Sequence, residues 1–422
     1  MRSSAATLLL VLASCKGCDE PARVAEGGLA DAAGAGPREA GPAVEADHAA
    51  PPPPDSGPGA GEASAAQPID LDAGASACRL AYGPAELSFR GPAALLVAGQ
   101  ELRLVANDSG KPHVFPVAIA PPTKGPPVVP PRPTAFTGMR WPPCEIAGRY
   151  VYCQGPGGTV MRSRLEGGEA RAVGKSRAGT RIAAAAAGGD HSVVAFIDVR
   201  RTTEGDMLQA FVALDDKEPV RLSDDGAGAT TLRFLPRGDA PVAVYLDTRT
   251  AMVPVHARPV MFRGGDLALG NDAVIFVGGA PERGIDLAVA SVGQKSFAFV
   301  PMPRETIEFG MATLAIEDPP KDDIGAVWSL YPNGLDPAPI ASAPSKDGKS
   351  AWVARVRPAH KAPGAPRVIE LGRVDASGAF RSEGPIASGK NVTDISIVDD
   401  GAGVWIAYGD ATITWLERRI CT

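Results

Sequence analysis

From Cys78 onward the chain is written in short apolar runs, each cut off by Gly, Pro, Asp or Asn, with no sustained 3.6-residue periodicity. Five runs stand out: His191–Arg200, Ala240–Arg249, Asp272–Gly278, Asp323–Leu330 and Gly401–Tyr408. Most are followed by a second strand-sized run, at Leu208–Leu214, Val253–Phe262, Ile285–Val292, Ala351–Val356 and Thr412–Leu416. The first two runs match most closely. Phe196/Tyr245, Ile197/Leu246, Asp198/Asp247 and Arg200/Arg249 recur at a constant offset. Other spacings are irregular.

Strand pairs that return every 40 to 55 residues or so predict an all-β ring, a β-propeller of four-stranded blades. At about 49 residues per blade, residues 78–422 hold about seven blades, with six or eight also compatible. An array of β-sandwiches is the rival, because it also gives short strands with turn signals. Closure favours the ring: an open sheet of this size leaves unpaired edges.

The first 77 residues read differently. Arg2 precedes the apolar run Ala5–Ala13, which ends in Leu12-Ala13-Ser14-Cys15. The run is far shorter than the ~20 residues of a spanning helix and suits a cleaved export signal. A small residue before a cysteine at this place resembles the lipobox of bacterial lipoproteins. That resemblance implies a signal peptide over residues 1–14 and a diacylglyceryl, acylated cysteine at Cys15. At ~0.8 kcal/mol per buried methylene, three acyl chains anchor a protein almost irreversibly. Lys16, where a retention signal has Asp, implies an outer-membrane destination. Cys18 is the poorer acceptor, because Lys16 then falls where a small residue belongs. Residues 15–77 form an acylated start and an Ala/Gly/Pro-rich linker that includes Pro51–Pro54. Such a segment lacks the apolar surface to offset its ordering entropy. It reads as a disordered tether of roughly 40–45 Å mean span, with the propeller domain over 78–422.

With 42 basic and 48 acidic residues, the chain has no general attraction for nucleic acid. Aromatics at 5% argue against a sugar site lined with stacked rings. Export implies an oxidising compartment, so Cys78, Cys144, Cys153 and Cys421 form two disulfides in one of three pairings. Cys144–Cys153, around a local turn, and Cys78–Cys421, tying the ends of the domain, are favoured. No metal and no cofactor is expected: the domain has no paired C-x-x-C units and no His cluster.

Two segments resemble the Asp box of sialidase-like propellers. They are Ser345-Lys-Asp347-Gly-Lys349-Ser-Ala-Trp352 and Ser223-Asp-Asp225-Gly-Ala227-Gly-Ala-Thr230, each without the usual glycine at the fifth place. Asp and Ser also serve ordinary turns, so these speak to fold rather than catalysis. Phe89-Arg90-Gly91-Pro92 loosely resembles the arginine element of sialidases. With Arg200 and Arg249 it would make an anion-binding cluster, since a guanidinium suits a carboxylate. An Asp-x-Arg at a strand end otherwise makes a local ion pair. No catalytic pair of carboxylates can be picked from 48 acids. Gly174-Lys175-Ser176 and Gly348-Lys349-Ser350 lack the first P-loop glycine, and H-E-x-x-H and G-x-S-x-G do not occur. His113, His191, His256 and His360 are far apart in sequence, and His191 reads as a rim residue. Asp215-Asp216 and Asp399-Asp400 read as solvated turns rather than calcium loops.

The expected function is a membrane-anchored, non-enzymatic binding or scaffold module of the cell envelope. Its partner would be an envelope protein or glycan. The alternative is a sialidase-like glycan-active enzyme with its site at the propeller mouth. The oligomeric state is not legible.

Overall fold

In the computed structural model, the described residues are 78–87, 93–98, 101–108, 111–117, 134–137, 140–176, 182–202, 205–223, 228–237, 240–247, 252–263, 265–279, 286–303, 309–316, 339–359, 366–388, 392–409 and 413–421. All belong to one compact unit, Ala65–Thr422. The chain enters it through β1 (Cys78–Leu87). Sheet I follows with β2 (Ala94–Ala98), β3 (Glu101–Asp108), β4 (Lys111–Val117) and β5 (Thr134–Thr137). Sheet II holds β6 (Arg140–Ala147), β7 (Tyr150–Gln154) and β8 (Thr159–Arg164). The two-residue β9 (Gly168–Glu169) runs parallel to β5, and β10 (Arg171–Lys175) completes sheet II against β8. Sheet III is β11 (Ala183–Ala186), β12 (Ser192–Thr202), β13 (Gly205–Leu214) and β14 (Val220–Arg221).

Sheet IV is β15 (Ala229–Leu235), β16 (Val242–Asp247), β17 (Met252–Arg263) and β18 (Asp266–Leu269), with β19 (Ala273–Gly279) also on β17. Sheet V is β20 (Ala288–Val292), β21 (Lys295–Pro303) and β22 (Phe309–Ala315). Sheet VI is β23 (Ile340–Pro344), β24 (Ser350–Pro358), β25 (Arg367–Asp375) and β26 (Phe380–Ser388). Sheet VII is β27 (Asp394–Asp399), β28 (Val404–Gly409) and β29 (Thr414–Cys421), and β1 returns as its outermost strand. The only helical element among the described residues is a 3-10 turn at Pro156–Gly158.

Burial shows how the sheets meet. Each core cluster joins one sheet to the next. Val105 of sheet I meets Val151 and Cys153 of sheet II, and Tyr152 of II meets Val194 and Phe196 of III. The series continues from III to IV through Val212 and Leu232, from IV to V through Val255 and Ala298, and from V to VI through Phe299 and Val353. Ile369 and Ile406 join VI to VII. Trp405 and Leu104 then join VII back to I. The first strands β2, β6, β11, β15, β20, β23 and β27 contact one another in the same cyclic order. The fold is all-β and a β-propeller. The Cys78–Cys421 and Cys144–Cys153 disulfides are both present, each between directly paired residues of neighbouring strands.

Two expectations need correction. The regular four-stranded antiparallel path occurs in five sheets, II, III, IV, VI and VII, rather than in seven. Sheet I adds the parallel β9, and sheet V has three strands among the described residues. Secondly, the runs Asp272–Gly278 and Ile285–Val292 do not pair. β19 lies on β17 as an outer strand of sheet IV, whereas β20 opens sheet V. Both are short apolar runs, and nothing local to either states its partner. The run Asp323–Leu330 lies outside the described residues.

Candidate functional site

Several first strands are rich in small side chains. β11 is four alanines, β20 and β23 interleave Ala with Val or Ser, and β15 opens with Ala-Thr-Thr before its bulkier Leu, Arg and Phe. Small residues let neighbouring first strands approach, and hydroxyls stitch them together. Ser396 Oγ of β27 accepts Leu95 N–H of β2 at 3.0 Å, and Ser342 Oγ of β23 donates to the Val289 carbonyl of β20 at 2.8 Å.

Acidic side chains gather toward the end of the sheets where the first strand begins. Asp247, level with Ala229, accepts Gly228 N–H on Oδ1 at 2.8 Å and is buried. Asp198, its counterpart at the end of the β12 run, is equally buried. Asp286 links three sheets: it takes Arg233 of IV at 2.7 Å, Leu287 N–H of V at 2.9 Å and Ile340 N–H of VI at 3.1 Å. Glu370, level with Arg355, holds Arg355 at 2.8 Å, Arg357 at 3.0 Å and Ser382 Oγ at 2.7 Å. Burial pushes the Glu370 carboxyl up, and Arg355, Ser382 and Arg357 more than reverse this, leaving it below the usual range. Deeper in sheet VII, burial raises Glu417 despite Arg419 at 2.9 Å. These acids are committed to arginines and strand-entry amides.

Of the expected anion-binding arginines, only Arg200 falls among the described residues; Arg90 and Arg249 lie outside them. Arg200 is half exposed, with Nε 3.4 Å from Asp198 Oδ2 and its guanidinium 4.7 Å from the Phe211 ring centroid. It makes the local ion pair that its Asp-x-Arg setting suggests. Cys15 and Cys18 also lie outside the described residues, as do His360 and the side chain of His113.

The histidines that are described have partners that the sequence hides. His191 is exposed and places Nδ1 2.7 Å from Asp215 Oδ2, while Arg162 holds Asp215 Oδ1 at 2.9 Å. Asp215 is thus tied into the sheet II–III seam rather than solvated. Beneath it, Tyr152 OH lies 2.6 Å from Ser192 Oγ, and burial pushes the phenol up to about 12. His256 Nδ1 is 2.8 Å from Asp272 Oδ2, which also accepts Tyr245 OH at 2.9 Å. The Tyr245 and His256 rings stack at 4.8 Å. Burial raises Asp272, and His256 and Tyr245 bring it below its ordinary value. An ionised Asp only accepts, so Nδ1 carries a proton. Nε2 and Asp272 Oδ1 are buried with no hydrogen-bond partner. The pair has the form of a base with its orienting acid, but both side chains are largely buried and the Nε2 that would act is itself buried.

The first Asp-box segment makes the expected turn. Asp347 Oδ1 accepts Lys349 N–H at 2.9 Å and lies 2.6 Å from Ser345 Oγ, which itself accepts Ser350 N–H at 3.0 Å. The Ser345 hydroxyl, ahead of the Lys349 amide, lowers the Asp347 carboxyl. Trp352 is buried and donates Nε1–H to Asp399 Oδ2 of the next sheet at 3.1 Å. Asp399 also accepts Gly401 N–H at 2.7 Å and Lys346 N–H at 3.1 Å. Asp400 accepts Trp405 Nε1–H at 2.8 Å and Arg418 at 2.6 Å. The expectation of solvated turns is corrected here: Asp400 is buried, and both acids act as fixed acceptors. In the second segment Ser223 is buried and accepts Ala210 N–H at 3.0 Å, while Asp225 lies outside the described residues. Among the described residues, no three His, Cys, Asp or Glu side chains converge as metal ligands.

No protein-family model matches the chain, and no curated protein matches it. Solved structures do. The chain is similar to YCF48 from Cyanidioschyzon merolae at 10% identity and a TM-score of 0.41, over 80% of this chain and 98% of that one. It is similar to the WD40 domain of Toxoplasma gondii coronin at 11% identity and a TM-score of 0.44, over 82% and 84%. A Trypanosoma rangeli sialidase matches at 9% identity and a TM-score of 0.40, over 79% of this chain and 54% of that one. The β-propeller fold rests on the sheet order and the cyclic packing of the sheets themselves.

Proposed function

We propose that this protein is a membrane-anchored bacterial lipoprotein of the cell envelope, acylated at Cys15 and carrying a non-enzymatic binding or scaffold propeller. One observation supports the non-enzymatic reading most. The described carboxylates at this end of the sheets are taken up by arginines and backbone amides, between sheets at Asp286 and within sheet VI at Glu370. Most glycosidases need a carboxylate pair free to trade protons across a sugar, the sialidases replacing one of them with a tyrosine nucleophile. With these acids holding the ring, recognition falls to the surface loops, which a rigid scaffold presents. We read the seven sheets as seven blades, five regular and two modified, and the chain before Cys78 as the tether to an outer-membrane lipid.

Two measurements test the proposal. Alkyne-palmitate labelling and intact mass of the native protein are expected to show an acylated Cys15 start, absent in Cys15→Ala. An intact, unacylated N-terminus on the native protein removes the anchor. Umbelliferyl sialosides and N-acetylhexosaminides are expected to show no turnover above blank. Turnover that Arg200→Ala abolishes overturns the non-enzymatic reading in favour of the glycan-active one.

A further inference from the structure

The two disulfides occupy different surroundings. Cys144 and Cys153 are both buried, in the cluster between sheets I and II. Cys78 is buried, but Cys421 is only partly so. Cys78 is also the first residue of β1, the outermost strand of sheet VII, and pairs with Cys421 near the chain's end. β1 meets β29 in blocks. Cys78–Leu80 pairs with Arg419–Cys421, and Ala85–Leu87 pairs with Thr414–Leu416. Register shifts flanking Tyr82 separate them. Gly83 sits between the blocks at φ +79°, where an added Cβ would fall 2.5 Å from the Leu416 carbonyl.

The blocks are held unequally. Tyr82 and Leu87 are buried against Trp405 and Leu416. In the first block Arg79, Leu80 and Ala81 are exposed, and Cys78 is the only buried side chain. An edge segment with so little burial opens locally at little cost unless something covalent holds it.

We propose that Cys78–Cys421 is a thiol-openable latch at the root of the propeller, whose reduction frees residues 78–81 from β29 and leaves the ring closed. A dithiol is the reductant. Its thiolate attacks the sulfur of Cys421, the less buried of the two residues, forms a mixed disulfide and expels the Cys78 thiolate. The second reductant thiol then displaces Cys421, so the dithiol leaves oxidised, its two electrons rest on the two cysteines, and each thiolate takes a proton from water. The ring survives because β27, β28 and β29 remain paired and β27 still touches β2 and β23. Opening the latch lengthens the leading chain and exposes the terminal edge of β29. The latch stands whether or not Cys15 carries a lipid.

The test is stepwise reduction of the full-length chain with dithiothreitol, with peptide-resolved iodoacetamide labelling and hydrogen exchange. Cys78 and Cys421 are expected to label well ahead of Cys144 and Cys153. Those amides of residues 78–80 and 419–421 that pair across the β1–β29 seam should exchange at least ~100-fold faster, with β29 amides bonded to β28 and the other sheets unchanged within about twofold. The Cys78→Ser/Cys421→Ser variant should show the same local pattern without reductant. Labelling in the reverse order, unchanged exchange in β1, or acceleration through all sheets together each overturns the latch.

Discussion

Asp400 is where sheet VII's turn meets its own core, and replacing it tests how far buried acids hold this ring. Its side chain is fully buried and lies 2.6 Å from Arg418, which is itself about one-tenth exposed. It accepts Trp405 Nε1–H, Ala402 N–H and Gly403 N–H, each at 2.8 Å. Asp400→Ala strands the Arg418 charge, whose Nε already lacks a partner, and leaves a buried indole N–H unpaired. Water can reach the exposed turn at Ala402, so that amide contributes little. Breaking a buried ion pair from one side costs about 3–5 kcal/mol, so the expected loss is about 4 kcal/mol. Asp400→Asn keeps an acceptor but not the charge, and should lose about 2 kcal/mol. Asp400→Ala with Arg418→Met removes the stranded charge and should recover about half of the single-variant loss. Urea unfolding with the disulfides intact reads each value from the midpoint shift. A loss below about 1 kcal/mol for Asp400→Ala, or a double variant no better than the single, refutes the reasoning.

Glu370 gives a pH test. Its folded pKa is below the unfolded one, so its stabilising contribution is present above the usual Glu range near pH 4.5 and disappears as pH falls through the folded value. Glu370→Gln is expected to lower the urea midpoint at pH 7, with the gap to wild type closing below about pH 4.5; a gap constant with pH would contradict this. Gly174 tests packing: a Cβ there would fall 2.4 Å from Phe196 Cζ, whose ring is buried between sheets II and III. Gly174→Ala should cost about 1–3 kcal/mol by overpacking, and a midpoint equal to wild type would show that Phe196 has room to move.

Several features were legible in the sequence for local reasons. The runs 193–197, 242–246 and 404–408 announce buried second strands because they are continuously apolar. The cysteines announced both bridges. The first strands were harder to see. Ala183–Ala186 carries no β-branched or aromatic residue, because its task is close approach at the ring centre rather than burial of bulk. β9 and β14, of two residues each, have no pattern to read. Partners across the chain were also hidden. His256 finds Asp272 only because β19 returns to β17, and Asp286 finds Arg233 and Ile340 only once three sheets stand side by side.

The repeated Asp198 and Asp247 now have a physical reading. Each is the last acid of a buried second strand, and Asp247 receives the amide that leads into the neighbouring first strand. Asp286 does the same for β20 and reaches β23 besides. An amide entering a first strand has no ladder partner on its axial side and cannot be left dry without cost. An acid at this place satisfies it, and an arginine beside the acid settles the remaining charge, as Arg233 does for Asp286. Among the described residues, an acid does this at the first strands of sheets IV, V and VI. The two repeated acids do this differently: Asp247 takes the amide that enters β15 of its own sheet, whereas Asp198 takes the Val199 amide of its own strand and pairs with Arg200.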